Sequence, residues 1–216
     1  MRKILAFTLA ETLIVMGIIG IVSALTLPNL NSSTGEKEKI AKVKKIYRDL
    51  NDAYGRATAV YGPFETWFVN DTTDDDRYKR AFERITEFMK ISKSNVSNYT
   101  ATLADGTSII WLEDYSSGGC EPSSYYPAAS FCGNIIVDID GPNKGKNRWG
   151  YDKFEFDIMA NGVIMPEGVD STTGKTACYQ SNDEPYGCTR WVIENENMDY
   201  LKCNDKLKWG QQTSCK

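Results

Sequence analysis

The side chains with clear chemical content in this 216-residue chain fall in three places. Glu11 lies inside an apolar run from Phe7 to Leu27. Asp138, Asp140, Asn143 and Asp152 crowd a stretch rich in Gly and Asn. Cys120, Cys132, Cys178, Cys188, Cys203 and Cys215 all lie in the C-terminal half. Each place suggests its own chemistry. A carboxylate among apolar side chains is costly unless it meets a cation, so Glu11 suggests a contact between helices. The acids at 138–152 offer hard oxygen ligands of the kind Ca²⁺ takes. The competing reading is a turn in which Asp and Asn side chains cap their own backbone, and Lys144, Lys146 and Arg148 oppose a bound cation. Both readings stay open at this stage.

None of the cysteines forms a CxxC pair, which argues against zinc or thioredoxin-type chemistry. An even number behind an apolar leader segment suggests disulfides in an oxidising compartment. The preferred pairing is sequential: Cys120–Cys132, Cys178–Cys188 and Cys203–Cys215, each closing a short loop. Buried reduced thiols are the alternative. The chain has no His, the most frequent general base and transition-metal ligand. No Gly-x-Ser-x-Gly or paired catalytic carboxylates stand out either, so an enzyme is not expected. With 29 acidic and 25 basic residues, the net charge of −4 gives no reason to expect a nucleic-acid surface.

The elements that must position these residues follow from periodicity. Phe7 to Leu27 is long enough for a helix crossing one hydrocarbon core, about 30 Å. Arg2 and Lys3 precede it, which keeps the leader on the cytoplasmic side. Pro28 and then Asn31-Ser32-Ser33-Thr34-Gly35 should perturb the helix. It resumes after Glu36, where Ile40, Val43, Ile46/Tyr47, Leu50, Ala53/Tyr54, Ala57 and Val60 recur at helical spacing. Gly62-Pro63 ends it. Residues 64–73 read as a loop. Asp74-Asp75-Asp76 starts a second helix carrying Tyr78, Phe82, Ile85 and Phe88/Met89. From Tyr99 the pattern turns to β: a hairpin over 101–112 about Asp105-Gly106, a strand at 133–139, and a pair over 154–165. Residues 167–188 read as a disulfide-tied loop, and 189–201 as a short helix.

The N-terminal run admits a cleaved secretory signal, a plain anchor, or a third reading that gives Glu11 a role. The stretch Ala6-Phe7-Thr8-Leu9-Ala10-Glu11-Thr12-Leu13 resembles the cleavage and methylation site of type IV pilins and type II secretion pseudopilins. In that family a short basic leader is cut before a Phe, the new amine is methylated, and a Glu follows four residues on. Phe7 and Glu11 match, Pro28 matches a proline common in that helix, and Ala6 stands where Gly is usual. The loop at 138–152 is also similar to one in pseudopilin-like heads, some of which bind calcium.

The resemblance implies an α+β fold: a long N-terminal helix, half transmembrane and half amphipathic, packed on a small antiparallel β-sheet head. The expected organisation is a leader at 1–6, a transmembrane and assembly helix at 7–28, its amphipathic continuation at 29–62, and a head at 63–216. It implies cleavage between Ala6 and Phe7, N-methylation of Phe7, and assembly through Glu11 and Pro28. No cofactor is required, and calcium on Asp138, Asp140, Asn143 and Asp152 is the one candidate. The expected partners are copies of the chain, other pilin-like subunits, a prepilin peptidase, an assembly platform and the membrane. Nucleic acid enters only for a DNA-uptake filament. The expected location is the bacterial inner membrane, single-pass with the head in the periplasm, and then a filament or the cell surface. The function implied is a structural subunit of a pilus or secretion pseudopilus; the alternative is a rare tip module that binds a surface, DNA or secreted cargo.

Overall fold

A computed structural model describes residues 9–68, 73–112, 120–122, 130–168, 178–181 and 184–216. The chain divides into two compact units, Met1–Glu38 and Lys39–Lys216. Helix α1, Leu9–Tyr61, contributes residues to both, and helical backbone runs through Pro28 and Asn31–Gly35, where a perturbation was expected. The Pro28 side chain lies outside the described residues.

In the second unit, the part of α1 from Lys39 onward forms because apolar residues recur every three or four positions. Val43, Leu50, Ala53, Tyr54 and Ala57 are fully buried there. Val60, which continues the stripe on paper, is exposed. Gly62, at φ +82°, stops the helix in a left-handed conformation that suits glycine. Phe64–Phe68, expected as loop, forms a 3₁₀ turn that buries Phe64 and Trp67. Helix α2, Asp74–Thr86, is capped by Thr73, whose hydroxyl accepts the Asp76 N–H at 3.2 Å.

Among the described residues, the helices meet a seven-stranded antiparallel sheet. Its strands are β1 (Ile91–Asn95), β2 (Thr100–Leu103), β3 (Ser108–Leu112), β4 (Glu121–Pro122), β5 (Ser130–Asp138), β6 (Lys153–Met159) and β7 (Ile164–Pro166). They run in the order β1-β2-β3-β5-β6-β7, with β4 paired to β5. β2 and β3 form the hairpin about Asp105-Gly106, with Gly106 at φ +90°. β5 and β6 form the longest pairing, from Phe131↔Met159 to Asp138↔Lys153. Alternation on these two strands sends Ile135, Val137, Phe154, Phe156 and Ile158 into the core with the buried stripe of α1. Tyr47 stacks on Phe156 with ring centroids 5.9 Å apart, and the Tyr54 hydroxyl donates to the Met159 carbonyl at 2.8 Å. Asn51 reaches across to β7: its Nδ2 donates to the Ile164 carbonyl at 3.1 Å and its Oδ1 accepts the Ile164 N–H at 3.0 Å.

The C-terminal part adds a separate hairpin, β8 (Tyr179–Ser181) with β9 (Glu184–Tyr186), and the short helices α3 (Thr189–Asn195) and α4 (Tyr200–Cys203). The single helix expected over 189–201 is split because Glu196, at φ 55°, ends α3 in the left-handed region. The expected loop at 167–188 contains the β8–β9 hairpin.

The expected arrangement, a long half-transmembrane helix on a small sheet, is corrected here. The fold is α+β, but the sheet has seven strands, and only the Lys39–Tyr61 part of α1 belongs to its unit. Among the described residues no helix is long and apolar enough to cross a membrane. The apolar part whose side chains are described, Leu9–Val22, spans only about 20 Å at 1.5 Å per residue, short of a hydrocarbon core of about 30 Å. The single-pass inner-membrane placement built on that segment is corrected with it.

Candidate functional site

The first candidate is the helix segment Leu9–Val22. Its first turn contains Glu11, where the helix dipole favours an acid. Thr12 folds its hydroxyl back onto the Leu9 carbonyl at 2.9 Å. Leu9 is 80% exposed, Met16 72% and Ile21 65%. Leu13, Ile14 and Val15 are exposed as well, so the apolar surface runs around the helix rather than along one stripe. A helix apolar on every side is normally covered on every side. Ala6 and Phe7, the expected cleavage and methylation positions, lie outside the described residues.

The second candidate is the loop from Asp138 to Asp152, between β5 and β6. Asp138 ends β5 and is fully buried. Its Oδ1 accepts the Gly141 N–H at 3.0 Å and the Asp140 N–H at 3.4 Å. Asp152 is also fully buried and gathers the far side of the loop, accepting Arg148 N–H at 2.7 Å and Asn147 N–H at 3.1 Å, and Lys146 N–H besides. Gly145, at φ +66°, has no room for a side chain, since a Cβ there would collide with the carboxylates of both Asp140 and Asp152. Those two acids therefore converge on one point. Among the described residues, three oxygens in this region are buried without a hydrogen-bond partner: Asp138 Oδ2, Asp140 Oδ1 and Asn147 Oδ1. Burial, and then the neighbouring Asp140 carboxyl, pushes the Asp138 carboxyl up to about 6.

The loop thus behaves first as a self-capped turn, with Asp152 satisfying three successive backbone donors. The Lys146 ammonium lies 4.1 Å from the Tyr151 ring centroid, and the Arg148 guanidinium 5.2 Å, as cation–π contacts. The structure brings Asp138, Asp140 and Asp152 into one loop core. Asn143 is exposed, and among the described residues no hydrogen bond joins it to these acids. Asn147, held at φ 50°, is the polar residue that sequence reading passed over. It lies within the stretch whose Gly and Asn residues were read as possible oxygen ligands, but nothing local distinguished it from Asn143. Among the described residues no group of three or more His, Cys, Asp or Glu side chains is placed to hold a metal ion.

The cysteines are bonded as Cys120–Cys132, Cys178–Cys188 and Cys203–Cys215. The last clip is reinforced by Asp199, whose Oδ2 accepts the Cys215 N–H at 2.9 Å. Burial raises the Asp199 carboxyl, but that bond and the Lys202 ammonium at 3.1 Å outweigh it and hold the group below its ordinary value. A cavity of about 650 Å³ lies between α1, the segment after α2 and the β2–β3 turn, with Phe88, Met89 and Leu103 among its apolar lining. Its charged rim includes the pairs Lys45–Asp105 at 2.9 Å and Arg56–Asp52 at 2.9 Å. Neither a protein-family model, nor a curated protein, nor a solved structure matches this chain.

Proposed function

We propose that this chain is a structural subunit of a pilus-like or secretion-pseudopilus-like filament, assembled helix on helix through its N-terminal segment. One observation carries the reading: Leu9–Val22 presents apolar side chains on every side, with Glu11 set among them. Each Leu or Ile in that row gains roughly 1.5–3 kcal/mol on burial. Neighbouring copies of the same helix supply the apolar cover. In this reading a prepilin peptidase cuts between Ala6 and Phe7 and Phe7 is methylated; the cut exposes an amine that Glu11 of a neighbouring copy can pair with. Pairing offsets the cost of burying either charge alone and sets the axial register.

The test is cysteine crosslinking. Ile14→Cys and Ile18→Cys are introduced singly, the protein is oxidised in its producing cells, and the products are sized. A ladder of copies linked through the helix is expected, together with a mature chain whose first residue is Phe7. Crosslinks confined to the 39–216 unit, or an uncut Met1 terminus in assembled material, would overturn the proposal.

A second reading concerns calcium on the 138–152 loop, and the orphaned oxygens of Asp138, Asp140 and Asn147 favour it. The Asp140 and Asp152 carboxylates, which converge beside Gly145, would supply ligands, and the ion would neutralise like charges that the turn leaves close together. Calorimetric titration with CaCl₂ should give saturable heat that Asp140→Asn abolishes; a melting temperature unmoved by Ca²⁺ and absence of heat would remove this reading.

A further inference from the structure

The cavity between α1 and the β2–β3 turn lies wholly within the Lys39–Lys216 unit, and no role above uses it. Its volume of about 650 Å³ falls within the roughly 300–1,000 Å³ of small-molecule sites. Backbone bonds fix its walls. After α2, the Phe88 N–H donates to the Ile85 carbonyl at 3.2 Å, and the Met89 N–H to the Thr86 carbonyl at 3.0 Å. The Ile91 N–H then donates back to the Met89 carbonyl at 3.0 Å, which holds the turn Phe88-Met89-Lys90. The β2–β3 turn is closed by the Gly106 N–H on the Leu103 carbonyl at 3.0 Å. Leu103 is buried, and Phe88 and Met89 are half-buried against the core.

The charges in the lining are not all alike. Among the described residues, its cations are Lys45, Arg56 and Lys90. Lys45 sits between two carboxylates, Asp49 Oδ2 at 3.0 Å and Asp105 Oδ2 at 2.9 Å. Arg56 pairs with Asp52 at 2.9 Å. Those three acids are the acids of the lining, so each already faces a cation. Lys90 differs. It is exposed, and among the described residues its ammonium makes no hydrogen bond or ion pair. Glu87, in the turn just before it, is engaged by the Tyr61 hydroxyl. The uncommitted charge of the cavity is therefore positive, and it follows directly on the apolar Phe88 and Met89.

We propose that this cavity binds a small apolar carboxylic acid, with its apolar body on Phe88, Met89 and Leu103 and its carboxylate paired with Lys90. An aromatic body suits this floor, because Phe88 offers a ring and Met89 a polarizable thioether that adapts its shape. A cationic ligand is selected against, since it would have to displace Lys45 or Arg56 from acids they already hold. A neutral ligand gains the apolar contact but leaves Lys90 unpaired. Binding changes no covalent bond. The inference is independent of the filament reading.

The experiment titrates the full chain with 4-phenylbutyrate, and with its amide and its amine as neutral and cationic matches, read by amide chemical shifts. Saturable shifts should centre on residues 88–90 and 103–105. Lys90 lies at the exposed rim, so the acid should bind roughly threefold to fivefold tighter than the amide, and the amine weaker than both. Lys90→Gln should bring the acid down to the level of the amide. Ala104→Trp, on the exposed turn, should close the cavity to all three probes. The proposal is overturned by an amine that binds as tightly as the acid, or by shifts that fail to saturate or that centre on Leu9–Val22. A Lys90→Gln variant that keeps the preference for the acid, or an Ala104→Trp variant that still binds it, overturns it equally.

Discussion

Helix α1 offers two regions built from the same residue classes with opposite outcomes. From Lys39 to Tyr61, apolar residues keep to a stripe, Lys and Asp fill the other side, and the stripe is buried on the sheet. From Leu9 to Val22, apolar residues occupy successive positions around the helix and are exposed. The first pattern is satisfied within its own unit. The second exceeds what any single packed face covers, so it calls for cover on several sides at once. Patterning, more than hydrophobic content, separates a residue buried in its own unit from one left exposed.

Substitutions that set the two regions against each other sharpen this comparison. The largest effect is expected from Leu50→Ala, which opens a cavity in the fully buried stripe. A loss of about 3 kcal/mol, or a melting point roughly 10 °C lower, should appear in a thermal scan. Removing the C-terminal clip with Cys203→Ser and Cys215→Ser together should cost about 2–4 kcal/mol in urea denaturation. Asn51→Ala leaves the Ile164 N–H and carbonyl without their side-chain partner, and should cost about 1–3 kcal/mol by the same assay.

A smaller effect is expected from Asp105. Burial raises its carboxyl, but the Lys45 ammonium and the Thr107 donors outweigh this and hold it down at about 2. A depressed acid stabilises the fold above its unfolded value near 3.8 and loses that contribution as pH falls towards about 2. The pair is partly exposed, so screening reduces its worth to about 1 kcal/mol or less. Asp105→Asn should flatten the acid limb of the melting curve between about pH 4 and 2.

The smallest stability effect belongs to the other region. Ile18→Ser and Glu11→Ala should shift the melting of the 39–216 unit by less than about 0.5 kcal/mol, yet both should abolish the crosslinked ladder. If Ile18→Ser destabilised that unit as Leu50→Ala does, the contrast between the two regions would collapse.

Much of the second unit was legible where local chemistry and core patterning agree. The stripe on α1, the Asp105-Gly106 turn and the alternation at Phe154–Ile158 each combine a local backbone preference with a buried face. Where local signals were weak, the reading failed. Phe64–Phe68 follows a helix stop and looks like loop, but Phe64 and Trp67 are drawn into the core. β1, with Ser92, Lys93, Ser94 and Asn95, carries no alternating apolar pattern and is an edge strand defined by pairing with β2. At the candidate loop, Asp138, Asp140 and Asp152 were named from spacing. Asn143 was named with them and is exposed, whereas the buried amide oxygen is that of Asn147, which depends on the left-handed backbone there.

What the sequence determined by itself is what depends on neighbours along the chain. The apolar helix carrying Glu11, the helix stop at Gly62 and the pairing of cysteines across short loops belong here, because short separations keep the partners close in any fold. What only the tertiary structure decided is what depends on residues far apart meeting in a poorly hydrated place. Asn51 clamps a strand more than a hundred residues later, and the Glu167 carboxyl is raised by burial first and then by Glu155 and Asp157 of β6. Desolvation and like-charge proximity are properties of a location, and no sequence window contains that location.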